Sequence, residues 1–326
     1  MAYLHHARAI AALSVALLVA APFADAQSYP VKPVRIIAGF PPGGAADLMA
    51  RLMGEKLSAA LWRPFIVENR PGAGGTVGAD AVAKAAADGY TLLLAPAVSQ
   101  SIAPAIYKSL PYHPETDFRP ISLVAVIPIV LVVHPSIKAT SARELVAVAK
   151  AAREPLLFSS AGSGTIPHLT GELFKLATGV NMMHVPYKGA AIAMGDLLAG
   201  RVQLMFENLP TVLGHIRSGR LRGLAIAGAQ RARALPELPT MAEAGIRGVE
   251  VTSWFALVAP AGTPDAVASV LEGETTKALA TTEIKARMYA MGAEATSSTA
   301  AELAKLMRSD TEKWAKLVEA TGARAD

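Results

Sequence analysis

The chain has 326 residues, no cysteine, 52% hydrophobic residues, 17% charged residues and a formal net charge of +5. A chain so apolar and so weakly charged is not disordered. Without cysteine it builds no disulfide scaffold, thiol nucleophile, iron–sulfur cluster, thiolate zinc site or cysteine-linked lipid anchor.

Residues 1–26 have the layout of a cleavable export signal: His5, His6 and Arg8, then an uncharged apolar run from Ala9 to Ala21, then Ala24-Asp25-Ala26 before Gln27. The run is shorter than the roughly 20 residues of a membrane span. Beyond it, short β-branched runs alternate with helical periodicity. The pattern predicts strands at Val34–Gly39, Phe65–Val67, Thr91–Leu94 and Val124–Val133, the last broken by Pro128. Further strands are expected at Leu156–Ser159, Met182–Val185, Val202–Phe206, Leu221–Ala227 and Trp254–Val258. Helices are expected at Ala45–Leu61, Gly78–Ala87, Ser141–Arg153, Thr165–Thr178, Ala191–Leu198, Pro264–Leu279, Ile284–Met291 and Ala300–Thr321. Ser141 followed by Glu144 has capping-box spacing. Alternation of this kind marks parallel sheets covered by helices. The length exceeds the roughly 250–300 residues that one core fills, which predicts two domains. No long linker separates them, so the chain should cross near Ser122–Val126 and near Gly248–Ser253. That divides it into one lobe of residues 27–124 plus 250–326 and another of residues 125–249.

Two segments carry chemistry. Ile36–Asp47 (IIAGFPPGGAAD) and Leu156–His168 (LLFSSAGSGTIPH) each run from a strand through a glycine-rich turn into a helix. Such a turn exposes backbone N–H groups beside a helix end worth about half a positive charge, which suits an anion. In open α/β sheets ligands sit at the carboxyl ends of strands, where both turns fall. Neither has the lysine of a phosphate-binding GK[ST] loop, and neither contains GxGxxG. Two such turns facing each other would suit a small molecule with a carboxylate at each end.

The motifs around these turns resemble a known family. They are PGGAAD within Pro33–Asp47, Val67–Gly75 (VENRPGAGG), Asp88–Leu92, Ser160–Gly164, His184–Gly189 (HVPYKG), Leu235–Thr240 and Ala259–Pro264. In order and spacing the chain is similar to the Bug receptors, the extracytoplasmic solute receptors of tripartite tricarboxylate transporters. It departs at Pro41, where alanine is frequent, and at Glu207, where aspartate is frequent. The resemblance implies an α/β, two-lobed type II periplasmic-binding-protein fold, with two mostly parallel sheets covered by helices and joined by two crossing strands. It implies a monomeric periplasmic receptor that takes a small carboxylate (a di- or tricarboxylate, acidic amino acid or aromatic acid) to cognate membrane permease subunits. No cofactor, catalysis or nucleic-acid partner is expected. The family pattern assigns the ligand to Phe40, Pro42, Gly43, Gly44, Ala45 and Ala46 of the first turn, and to Ser160, Ala161, Gly162, Ser163, Gly164 and Thr165 of the second. Ser99 and Asn208 approach the same cleft.

Three more residues have two readings each. Asp47 touches a ligand amine or braces the first turn through backbone N–H groups. His168 faces the ligand or the core. Lys188 is a motif-borne cation or a solvated one. Arg70 and the ENRPGAGG loop read as structural. The histidines form no HExxH motif and no i,i+4 pair, so no metal site is expected. A sensor that reports to a membrane signalling protein is one alternative. A secreted hydrolase using Ser163 with His168 or His184 is the other, although GxSxG is absent because Ala161 replaces its first glycine.

Overall fold

The structure is a computed structural model and describes residues 29–324. The export segment expected at residues 1–26 lies outside the described residues. Of a separate unit, Met1–Val31, only residues 29–31 are described. The rest of the chain, from Lys32 on, forms one compact unit.

The first part runs β1 (Val34–Ala38), α1 (Ala45–Leu61), β2 (Phe65–Asn69), α2 (Thr76–Ala83) and β3 (Thr91–Pro96). A π turn at Val98–Ile102 leads into the short α3 (Ala103–Ile106), and the long β4 (Phe118–Val133) follows. The second part runs α4 (Ala142–Ala151), β5 (Leu156–Ser160), α5 (Ile166–Thr178), β6 (Met182–Pro186), α6 (Ala190–Leu198), β7 (Leu204–Asn208), α7 (Leu209–Arg217) and β8 (Arg222–Ile226). Then β9 (Thr252–Pro260) returns the chain to the first part, followed by α8 (Asp265–Ala280), α9 (Thr282–Met291), β10 (Glu294–Ala295) and α10 (Ala300–Thr321).

The strand order is β2-β1-β3-β9-β4-β7-β5-β6, with β8 and β10 also on β4. The outer strands pair parallel: β1 with β2 and β3, and β5 with β6 and β7. The long strands add antiparallel ladders between them. β4 pairs with β9 from Phe118 to Pro128, then with β7 from Ile129 to Val133. The break expected at Pro128 is thus a change of partner rather than an end. Proline has no N–H to give, and it stands where the β9 ladder stops. All of Ile129–Val133 is fully buried, which explains why the run reads as uninterrupted apolar sequence.

Most elements match their sequence pattern within a few residues, and α1 and α10 match it fully. Helix α4 is capped as the Ser141 spacing suggests: Ser141 Oγ accepts from the Glu144 amide at 3.1 Å. The Glu144 carboxylate reaches back one residue further than a capping box, to the Thr140 amide and hydroxyl. Helix α7 carries no expectation from the sequence. It buries Leu209, Val212 and Leu213, and Pro210 in its first turn is the start signal. Among the described residues no helix is long and apolar enough to cross a membrane.

The C-terminal helix α10 is tied to the sheet by one carboxylate. Asp310 Oδ2 accepts from the indoles of Trp254 on β9, at 2.7 Å, and of Trp314, at 3.2 Å. Both tryptophans are buried. Asp310→Ala leaves two buried N–H donors bare, at about 1–3 kcal/mol each. Denaturant unfolding should register a loss of about 2–6 kcal/mol for that variant, and a loss below about 0.5 kcal/mol would rule the anchor out.

Candidate functional site

Four helices begin around one pocket. It is lined by the starts of α1 (Gly44, Ala45, Ala46), α5 (Thr165, Ile166, Pro167), α6 (Ala190) and α7 (Asn208). The pocket spans about 520 Å³ when the open solvent at its mouth is counted. Its walls are mostly apolar: Phe40, Pro41, Pro96, Val98, Ala161 and Phe255, with Ser253 as a polar member. Among the described residues no side chain caps any of the four helices. The amides of Ala45, Ala46, Ala161 and Ile166 have no hydrogen-bond partner among the described residues. All four of these residues border the pocket. Unbonded amides at converging helix ends make a positive, uncharged cradle.

Four other loop amides are already spent. The Gly43 amide donates to Asp47 Oδ2 at 3.0 Å, and the Gly164 amide donates to His168 Nδ1 at 3.1 Å. The Gly162 amide donates to Ser160 Oγ, and the Thr165 amide and hydroxyl both go to the Gly162 carbonyl. Of the residues that the family pattern assigns to the ligand, Phe40, Gly44, Ala45, Ala46, Ala161, Thr165 and Asn208 line the pocket. Gly162, Ser163 and Lys188 line an adjoining cleft of about 1180 Å³, open solvent included, whose other wall is the Pro71–Gly75 loop. Pro42, Gly43, Ser99, Ser160 and Gly164 line neither space. Ser99 is fully buried, and its hydroxyl donates to the Pro96 carbonyl at 3.2 Å.

Asp47 is 3% exposed and braces the first loop. Beyond Gly43 it accepts from Arg51 and from Asn69, each at 3.0 Å. Burial alone would raise its carboxyl, but the hydrogen bonds from Arg51, Gly43 and Asn69 outweigh that and hold it below its ordinary value. Asn69 also donates to the Phe40 carbonyl at 2.9 Å, which ties the ENRPGAGG loop to the first turn. That loop supports Phe40 directly: Gly75 has φ +93°, and a Cβ there would lie 2.9 Å from Phe40 Cε2. Across the pocket, Gly189 (φ +134°) leaves room for Pro41, whose Cγ would lie 2.9 Å from an added Cβ.

His168 faces the core. It stacks on His184 with ring centroids 3.9 Å apart, and Phe158 lies against both. A backbone N–H donates to His168 Nδ1, so that nitrogen carries no proton. Burial pushes His168 down to about 4. It pushes His184 down to about 3, helped by the neighbouring ring. His184 Nε2 lies 2.7 Å from Ser160 Oγ, and Ser160 is fully buried. The serine that meets a histidine is therefore Ser160, out of reach of substrate. Ser163 makes no hydrogen bond to either ring, which removes the geometry that the hydrolase alternative needs.

Sequence reading missed Pro96, Val98, Ile166, Ala190, Glu207, Ser253 and Phe255 in the lining. Glu207 is 1% exposed, and burial raises its carboxyl to about 7. Pro41 and Pro167 stand inside the quoted motifs and were available as signals. Phe255 and Ser253 lie in the hydrophobic run of β9, which marks a strand and says nothing of a ligand.

A family model described as the tripartite tricarboxylate transporter family receptor matches residues 49–323. BugT of Bordetella pertussis is 40% identical over 311 residues, covering 94% of each chain. Two solved structures superpose closely. Rpa4515 of R. palustris with adipate has a TM-score of 0.89 and 33% identity over 91% of this chain and 99% of its own. The periplasmic binding protein BugD has a TM-score of 0.86 and 36% identity over 91% and 99%. The α/β arrangement described above is thus the fold of these binding proteins.

The buried histidine pair predicts acid sensitivity. Both rings fold neutral, with pKa values below the unfolded value of about 6.5. Their contribution is complete above that value and is lost as pH falls toward 4, because the unfolded chain then binds more protons. Stability should drop by up to about 1.4 kcal/mol per ring per pH unit in that window. Denaturant midpoints at pH 7 and pH 5 check this, and His184→Gln should flatten the slope. A wild-type midpoint that does not move would contradict the neutral pair.

Proposed function

Because the chain belongs to the tripartite tricarboxylate transporter receptor family, we propose that it captures a small dicarboxylate between its two glycine-rich loops and passes it to the membrane subunits of such a transporter. The observation that carries this reading is the set of unpartnered amides at Ala45, Ala46, Ala161 and Ile166 around one pocket. A carboxylate gives those amides acceptors and meets the positive ends of their helices. The apolar walls between the loops, Phe40, Val98 and Phe255 among them, suit a short methylene chain. Adipate, present with Rpa4515 of R. palustris, has that chemistry.

In this reading the lobes are residues 27–124 plus 250–326 and residues 125–249. β4 and β9 are the crossing strands, and ligand between the lobes stabilises the closed arrangement. The export signal over residues 1–26 delivers the chain to the periplasm, where it works as a monomer. Pro42, Gly43, Ser160 and Gly164 shape the loops, while the free amides beside them hold the acid.

The test is a thermal-shift screen of succinate, glutarate, adipate and pimelate, after unfolding and refolding to strip any acid carried through purification. A binder at 100 times its Kd should add about 2.7 kcal/mol of stability. If no carboxylate moves the melt, the reading fails. Ala45→Pro separates the amide from the helix. Position 45 is the first of α1, and Gly44 before it is extended at φ −86°, ψ 171°, so proline fits there. The variant should fold, yet bind the acid about 10–100-fold more weakly, the loss of one charge-assisted hydrogen bond. Unchanged affinity would take that amide out of the site.

A further inference from the structure

Among the described residues, Glu207 is the one ionisable residue lining the pocket. It stands at the end of β7, next to the first turn of α7. Its Oε1 accepts from the Asn208 amide at 2.8 Å and from Asn208 Nδ2 at 3.0 Å. Its Oε2 is sealed from solvent and has no partner, and the same is true of Asn208 Oδ1. Buried polar atoms are rarely left bare, and each one costs stability. Glu207 lines the pocket, and its bare Oε2 is the one of these two oxygens that a ligand carboxylate can partner, because a protonated carboxyl donates whereas an amide oxygen only accepts. Backbone and neutral side chains flank Glu207 on the sheet: Val130 is opposite it on β4, and Ser159 and Ser160 end the neighbouring β5.

The proposal rests on the carboxylate-receptor reading above. We propose that Glu207 serves as a neutral carboxylic acid whose Oε2–H donates to a ligand carboxylate oxygen, so that it both orients the acid and makes its capture depend on pH. The two N–H donors on Oε1 assign the proton to Oε2. An ionised Glu207 would place a second negative charge against the ligand with no cation to offset it. Burial favours the neutral form, while the Asn208 hydrogen bonds pull the other way. The elements packed against β7 carry Arg119 on β4, His168, Glu172 and Lys175 on α5, Asp196 on α6, and His215 and Arg217 on α7. None of them contributes to the shift at Glu207. The bound acid pushes that carboxyl further up, so binding takes a proton from solvent. A ligand with no oxygen at this end leaves Oε2 bare and gains nothing there.

Calorimetric titration tests this, using whichever of succinate, glutarate, adipate or pimelate binds the wild-type protein tightest. Three proteins are compared between pH 6 and pH 8.5: wild type, Glu207→Gln and Glu207→Met. Glutamine keeps an acceptor for Asn208 and a permanent N–H donor toward the ligand. Wild-type affinity should weaken by up to about tenfold per pH unit above 7. Glu207→Gln should bind within about tenfold of wild type at pH 6 and lose the pH slope, and Glu207→Met should lose more than tenfold. If Glu207→Met does not fold, the wild-type slope and its loss in Glu207→Gln decide the matter. A flat wild-type profile overturns the proposal, as does a Glu207→Gln variant as impaired as Glu207→Met or a Glu207→Met variant that binds like wild type. Binding by the wild type in any of those cases leaves the receptor reading standing. A wild type that binds none of the four acids overturns both.

Discussion

The first turn of an α-helix has amide groups that the helix itself cannot satisfy. In this protein four helices start around one pocket, and among the described residues no side chain caps any of them. The rest of the site follows from that. The loops must be rich in glycine to bring the helix ends close, and the walls must be apolar so that no side chain competes for the amides. A ligand that satisfies several amides at once needs several acceptor oxygens close together, as a carboxylate has.

Such a cradle is useful only if it holds its shape while empty. Each of the two glycine-rich loops is braced by its own helix, in the same geometry. Asp47, in the first turn of α1, takes the Gly43 amide four residues before it. His168, in the first turn of α5, takes the Gly164 amide four residues before it. The braces differ in their tolerance of acid. Asp47 is held ionised by Arg51, Gly43 and Asn69. His168 works only while neutral, and burial against His184 keeps it so. The second loop is therefore the one that mild acid attacks first.

Much of this was legible in the sequence. Helical spacing marked α1 and α10 with their observed bounds, because each buries one apolar stripe. Glycine-rich turns between a strand and a helix marked both loops, because few other residues allow that approach. What the sequence did not carry is which amides stay free. Gly43 and Gly164 sit in the same motifs as Ala45 and Ala161, and only the fold shows that their N–H groups are consumed at i+4. Ser99 reads like a hydroxyl on offer, yet it is fully buried and bonded to Pro96. Glu207 stood out only as a departure from the family pattern. Its burial, and the oxygen left without a partner, arise from the packing of β7 between β4 and β5. Helix α7 had no expectation in the sequence; it is only nine residues long and follows β7 directly, with Pro210 in its first turn as the start signal.

The central claim is that particular backbone amides bind the acid, and amide chemical shifts read it directly. In a titration of isotope-labelled protein with the tightest-binding dicarboxylate, the amides of Ala45, Ala46, Ala161 and Ile166 should shift downfield the most. Those of Gly43 and Gly164, already bonded within the protein, should move little. Shifts concentrated at Gly43 and Gly164, or around Lys188 with the four free amides still, would contradict the account.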